Sequence, residues 1–228
     1  MVLTELKRQF PAAPEYLTQI FLIQRDTGEV TNAGLADRLN VSRPAVSQAI
    51  GRLRRLGLVE QDKYGTIALS LEGENIGKKI VRRHFLLEHL LVGLLKYPWD
   101  KADKEAESLQ DALSDDFTEF LSQRLGNPQT CPHGNPMPDS ALEERYLQAP
   151  PLSGAPLHQE IRLIRITEEG ELLDGLLPFC LEHQLLPGRI MIPSSLDEQQ
   201  VVVQKDEKTL SIPIKFAQLL RWEAVSSK

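Results

Sequence analysis

Cysteine is scarce in this 228-residue chain. Cys131 and Cys180 are the full complement, too few for a disulfide framework and in keeping with a reducing compartment. Long apolar runs are missing too: nothing approaches the roughly 20 uninterrupted apolar residues that a membrane helix needs. The opening MVLTELKRQF carries charge where a secretory leader would be apolar. A cytoplasmic protein without a membrane partner is therefore expected. Low-complexity tracts and internal repeats are lacking. So is a glycine-rich phosphate loop, because Gly170 and Gly175 stand alone without the helix context such a loop requires. There is no nucleophile elbow, and nothing in one sequence fixes a Ser-His-Asp grouping in space. These absences weigh against an enzyme.

With 41% hydrophobic and 25% charged residues, the chain can bury a core. Its length suits two domains. The net charge is -6, yet the first 83 residues hold 13 Lys and Arg against 9 Asp and Glu, and the rest holds 13 against 23. Only the N-terminal third is basic, so overall acidity leaves a nucleic-acid partner open.

Apolar periodicity predicts a helix over Pro14–Gln24, with Tyr16, Ile20, Phe21 and Ile23 inward. Thr31 and Ser42 are helix caps, opening helices over 33–39 and 43–56. Gly57 ends the second, where a left-handed conformation suits glycine. Residues 58–61 and 66–69 read as a hairpin with Lys63 near its tip. A long helix from Glu72 to about Leu95 ends before Pro98, and helices over 100–113 and 116–125 follow. The segment from Asn127 to Pro156 is rich in proline and glycine and reads as a linker. Beyond it, period-two alternation marks strands at 161–166, 190–192, 201–204 and 210–214, with a short helix over 176–183. The expected fold class is mainly α, with a winged helix-turn-helix and further helices, plus a small all-β C-terminal domain. Expected boundaries are 1–76, 77–145, a linker at 146–156, and 157–228.

Two helices followed by a hairpin form a winged helix-turn-helix pattern. The second helix and its flanks, from Ser42 to Val59, hold four arginines and no acid. Ser42, Arg43, Pro44, Ser47, Gln48 and Arg52 are the candidate DNA contacts. Serine and glutamine can read base edges, while arginine can hold phosphate or guanine. The alternative is an ordinary amphipathic helix with a solvated basic face.

The run LADRLNVSRPAVSQAIGRLRRLGLVE, with its Ser-x-Pro-x-Val-Ser-Gln core, resembles the DNA-reading segment of the iron-dependent repressor family, which includes diphtheria toxin repressor and the manganese transport regulators. EYLTQIFLI is similar to that family's opening helix, and LSLEGENIGKKIVRRHFLLEHLL to the helix leading into its metal and dimer domain. EAESLQDALSDDF, CPHGNPMP and PGRIMI resemble later landmarks, the last in the SH3-like domain of the longer members. The resemblance implies that the further helices form a helical dimerisation domain and that the all-β domain is SH3-like. It also implies a homodimer bound to a near-palindromic DNA operator, sensing Mn²⁺ or Fe²⁺ and repressing metal-uptake genes. Ser42, Pro44 and Gln48 fall on its base-contacting positions.

The same resemblance implies metal ligands. Glu15 falls on the first-helix position, His84 and Glu88 on a His-x3-Glu pair, and Glu107 on a Glu or Cys position. Gln110 and Asp111 stand where the family has Glu-His, and Asp103 replaces a histidine of some members. Leu173 and Leu176 occupy positions where some members supply extra ligands, so a contribution from the SH3-like module is expected to be lost. The set Glu15, His84, Glu88, Asp103, Glu107, Gln110 and Asp111 is oxygen-rich with one imidazole and no thiolate, which suits Mn²⁺. Taken alone, these acids also read as a solvated helix face. The Cys131-Pro132-His133 turn reads as a structural loop, and Cys180-x2-His183 as buried packing. Rival readings are a decayed metal site with constitutive DNA binding or another effector, a metal-assisted hydrolase, and a protein-interaction module built on the SH3-like domain.

Overall fold

The computed structural model describes residues 3–62, 65–206 and 208–225. Lys63 lies outside them. By contacts the chain divides into two units, Met1–His84 with Gln110–Leu113, and Phe85–Leu109 with Ser114–Lys228. The helical stretch after residue 77 is thus shared between the units.

The first unit begins with α1 (Leu3–Gln9) and α2 (Ala13–Thr27). Gly28 closes α2 at φ 77°. In α3 (Asn32–Leu39) the Thr31 hydroxyl accepts from the Gly34 amide, and Asn40 ends the helix at φ 51°. In α4 (Arg43–Arg55) Ser42 caps the Ala45 amide and Pro44 sits in the first turn, where its missing N–H costs nothing. Then β1 (Val59–Gln61) and β2 (Ile67–Leu69) pair antiparallel as the wing. Leu17, Ile20, Leu35, Val46, Ile50, Leu53, Leu58 and Ile67 form one buried core beneath these elements. The helix-turn-helix expectation is met, with helix ends within a few residues of those read from the caps. The helix α1 was not anticipated: seven residues are too few for a periodic signal.

Helix α5 (Leu71–His89) continues as a π-helical turn over Leu90–Leu94. The boundary between the units falls inside α5, after His84. A 3-10 turn at Trp99–Lys101 leads into α6 (Ala102–Leu109), and another follows at Gln110–Ala112. Helix α7 (Asp115–Arg124) is capped by Ser114.

The 127–156 stretch is only partly a linker. It contains α8 (Glu143–Leu147) and a 3-10 turn at Leu152–Gly154. Cys131, His133, Asn135 and Met137 within it are buried. Proline and glycine here shape a packed loop, closed by a bridge between Thr130 and Pro136.

The C-terminal module contains β3 (Ile161–Ile166), α9 (Glu168–Leu172), α10 (Leu176–Glu182), β4 (Ile190–Leu196), β5 (Gln200–Lys205), β6 (Lys208–Pro213), α11 (Ile214–Ala217) and β7 (Leu220–Ala224). Its five antiparallel strands run in the order β6-β5-β4-β3-β7. Inward positions such as Ile161, Leu163, Val201, Val203 and Ile212 alternate with outward ones and pack on Leu176, Leu177 and Cys180. The sheet was legible except β7, a five-residue strand that pairs with β3.

Candidate metal centre and nucleic-acid interface

Helix α4 exposes Arg43, Pro44, Ser47 and Gln48 on its N-terminal half, while Val46, Ala49, Ile50 and Leu53 face the core. The Ser42 hydroxyl is engaged as the cap. Ser47 accepts from the Asn32 amide at 3.2 Å, which links α3 to α4. Arg52 behaves differently from expectation. Its guanidinium lies 4.4 Å from the Phe10 ring centroid and donates to the Gln9 carbonyl, so it ties α4 to the start of the chain. Arg54 and Arg55 are exposed further along α4.

The expected metal ligands are only partly brought together: one ligand atom from each of His84, Glu88 and Asp103 lies within 4.8 Å of the others. In the first unit, Glu15 is exposed on α2. His84 Nδ1 meets Gln110 Oε1 at 3.0 Å. Asp111 Oδ2 is paired with Lys7 Nζ at 2.9 Å. The Gln110 amide oxygen and the Asp111 carboxylate are thus each engaged by a side chain of this chain. In the second unit, Glu107 is exposed and Asp103 half-buried on α6. Glu88 is fully buried, and a carboxylate oxygen of Asp103 lies within 4.8 Å of one of its own.

Glu88 also belongs to a cluster that the sequence reading missed. One ligand atom from each of Glu88, Cys131 and His133 lies within 4.8 Å of the others, and all three are buried. His133 Nδ1 is 2.9 Å from Glu88 Oε2 and 3.3 Å from Glu171 Oε2. Its Nε2 faces the Trp99 carbonyl oxygen at 3.0 Å. That contact takes a proton on Nε2, and the carboxylates favour a second one on Nδ1; a cation displacing the Nδ1 proton would meet an imidazole whose other nitrogen is fixed by a backbone carbonyl. The Cys131 sulfur accepts from the His133 amide at 3.3 Å. Leu173 and Leu176 supply no ligand, but the module does reach the cluster, through Glu171 on α9.

Three anchors hold the loop. His89 Nε2 contacts the Thr130 carbonyl. Trp99 Nε1 donates to the Pro132 carbonyl at 3.1 Å. Gly134 takes φ 92°, and a Cβ there would sit 2.1 Å from the Ile164 carbonyl oxygen, so only glycine lets the loop lie against β3.

The electrostatics suit a cation. Burial pushes the His133 imidazole down, but the Glu171 and Glu88 carboxylates outweigh it and hold the group well above its ordinary value. Burial raises the Glu171 carboxyl well above the usual carboxylate range. It raises the Cys131 thiol likewise, with the Glu88 charge adding. A cluster that retains protons at buried ligand atoms is one from which a divalent cation can displace them. Two carboxylates, one imidazole and one thiol form a donor set that fits a first-row transition metal.

Known families match along both segments. Residues 11–67 match the iron dependent repressor N-terminal DNA binding domain. Residues 70–139 match the iron dependent repressor metal binding and dimerisation domain. The chain belongs to the iron-dependent repressor family. That is a family of metal-dependent, DNA-binding transcriptional regulators and not of enzymes, which removes the hydrolase reading. The chain is similar to the iron-dependent repressor IdeR of Mycobacterium leprae, 26% identical over 222 residues, covering 92% of this chain and 96% of that protein. It is 33% identical over 153 residues to IdeR of Mycobacterium bovis, covering 67% of this chain and 64% of that one. The fold is similar to a manganese-dependent transcriptional repressor in complex with manganese, at TM-score 0.82 and 28% identity, covering 93% of this chain and 100% of that one. Helix α1, which carries the Lys7 of the Lys7–Asp111 pair, lies ahead of the matched DNA-binding segment. The CPHG run was the signal that could have found the centre. Its carboxylate partners lie far away in sequence on either side, so spacing alone could not assemble it.

Proposed function

We propose that the chain is a cytoplasmic, homodimeric repressor of metal-uptake genes that responds to Mn²⁺ or Fe²⁺ through one buried centre formed by Glu88, Cys131, His133 and Glu171. The observation that carries this reading is the convergence of two buried carboxylates, Glu88 and Glu171, on His133 Nδ1, with ligand atoms of Glu88, Cys131 and His133 within 4.8 Å of one another. A bound divalent ion would supply a fixed positive charge joining α5, the 130–137 loop and α9. Glu88 and Glu171 would provide hard oxygen ligands suited to Mn²⁺ and Fe²⁺, and the Cys131 thiolate adds affinity for softer ions. Asp103 would stand beside the centre as a further carboxylate. Arg43, Pro44, Ser47 and Gln48 would meet the major groove, with Arg54 and Arg55 placed for phosphates. Arg52, with Ser42, would serve the head's own architecture.

The Gln110 and Asp111 positions favour a second statement. The His84 ring and the Lys7 ammonium hold them without a metal, so Gln110 and Asp111 would contribute no ligand here, while His84 lies in a group with Glu88 and Asp103. The decayed-site reading then applies to Gln110 and Asp111 alone.

By linkage, a metal that favours the DNA-binding form raises operator affinity, and the operator raises metal affinity by the same factor. The test is a gel shift on operator DNA with Mn²⁺, with chelator, and with chelator followed by excess Mn²⁺. Binding that disappears and returns supports metal control. Binding indifferent to chelator supports constitutive recognition and overturns the proposal.

A further inference from the structure

Glu171 arrives at the centre from α9, a five-residue helix too short to hold a carboxylate rigidly by itself. What fixes it lies outside the ligand set. Asn135 Nδ2 donates to Glu171 Oε1. The other end of the same amide, Oδ1, accepts from Arg165 Nε. Asn135 is 0% and Arg165 1% exposed. Arg165 comes from β3 in the sheet, and Asn135 from the loop that also carries Cys131 and His133. The guanidinium can only donate, so it orients the amide with its oxygen towards β3 and its NH₂ towards Glu171. With Oε1 engaged, Oε2 is the oxygen left facing His133 Nδ1 at 3.3 Å.

We infer that Asn135, oriented by Arg165, is the positioning residue that presents Glu171 to the metal through a single oxygen, and that this pair sets the centre's preference for hard over soft ions. The inference rests on the metal centre proposed above. A relay of this kind divides the work between the two oxygens of one carboxylate. One is fixed by a hydrogen bond and the other is delivered to the ion at a defined place. Loss of the amide leaves Glu171 free to rotate or to take up its proton. Mn²⁺ depends on oxygen ligands and should suffer most, while Zn²⁺ keeps the Cys131 sulfur and the His133 nitrogen.

The experiment is a double-mutant cycle on the full chain, with Mn²⁺ and Zn²⁺ affinities measured by calorimetry for wild type, Asn135→Ala, Glu171→Ala and the double variant. Asn135→Ala should weaken Mn²⁺ about 10–100-fold, the range typical of outer-shell partners. It should weaken Zn²⁺ less, so the Mn²⁺/Zn²⁺ preference falls. The double variant should bind Mn²⁺ no more weakly than Glu171→Ala alone. Asn135→Asp provides a near-isosteric second variant should alanine disturb folding. It can still accept from Arg165 but cannot donate to Glu171 as an ionised group, and the same cycle applies. Equal loss of both metals, additive losses in the double variant, or unchanged Mn²⁺ affinity would overturn the inference while leaving the centre in place. A wild-type chain that binds no Mn²⁺ would overturn the centre itself.

Discussion

On α4 the Arg52 guanidinium is held 4.4 Å from the Phe10 ring, while Gln48, one turn earlier, is exposed. The two side chains should therefore answer to different measurements. Arg52→Ala should lower thermal stability by about 1 kcal/mol, the scale of an exposed cation–π contact with one hydrogen bond. The salt dependence of operator binding should stay unchanged, because no phosphate contact is lost. Gln48→Ala should leave the melting temperature within experimental scatter and cost about 1–3 kcal/mol of discrimination at the cognate base. Melting curves and titrations at several salt concentrations separate the two; a changed salt slope in Arg52→Ala would contradict the assignment. The exposed face of α4 was readable from the sequence because the burial of Val46, Ile50 and Leu53 follows helical spacing. Arg52 was not, because its partners at Gln9 and Phe10 sit on a different part of the chain. The meeting of Cys131 and His133 with Glu88 and Glu171 was not readable for the same reason: these carboxylates lie far from the loop in sequence.

At the scale of elements, caps and glycines made the helices legible. Thr31 and Ser42 each accept a backbone amide at a helix start, as does Ser114, which the sequence reading did not single out. Composition misled where a loop is packed. The proline and glycine of CPHGNPMP suggested a linker, yet the backbone of Gly134 lies against β3 and the loop carries half of the proposed ligands. Replacing Gly134 by alanine imposes two penalties, since its φ of 92° disfavours a side chain and the new Cβ would sit 2.1 Å from the Ile164 carbonyl oxygen. The expected destabilisation is roughly 1–3 kcal/mol, accompanied by loss of Mn²⁺ binding. Calorimetric melting and metal titration on the same sample check this; full Mn²⁺ affinity in a Gly134→Ala chain would show that the loop can leave β3 without disturbing the centre. The elements that escaped the sequence reading, α1, α8, α9, α11 and β7, are four to seven residues long. Over so few positions neither period can be told from chance.

For the molecule as a whole, the charge division between a basic first third and an acidic remainder already separated a DNA-facing part from the rest. Association of two copies is written less plainly, as apolar side chains left in water. Leu94 and Leu95 are 69% and 62% exposed, and the exposed Phe117 and Phe120 rings stack 6.4 Å apart. All four fall inside the segment matching the family's metal binding and dimerisation domain. Large apolar groups left exposed within that segment suit an interaction surface. The variant Leu94→Glu with Leu95→Glu should sediment as a monomer and bind operator at least tenfold more weakly. A dimer of wild-type affinity would place the twofold contact elsewhere. The most direct test of the central claim is the Mn²⁺ stoichiometry and affinity of His133→Ala beside Asp111→Ala, measured by calorimetry against wild type. The account predicts that His133→Ala abolishes tight binding and that Asp111→Ala retains one ion per protomer; retention in His133→Ala with loss in Asp111→Ala would contradict it.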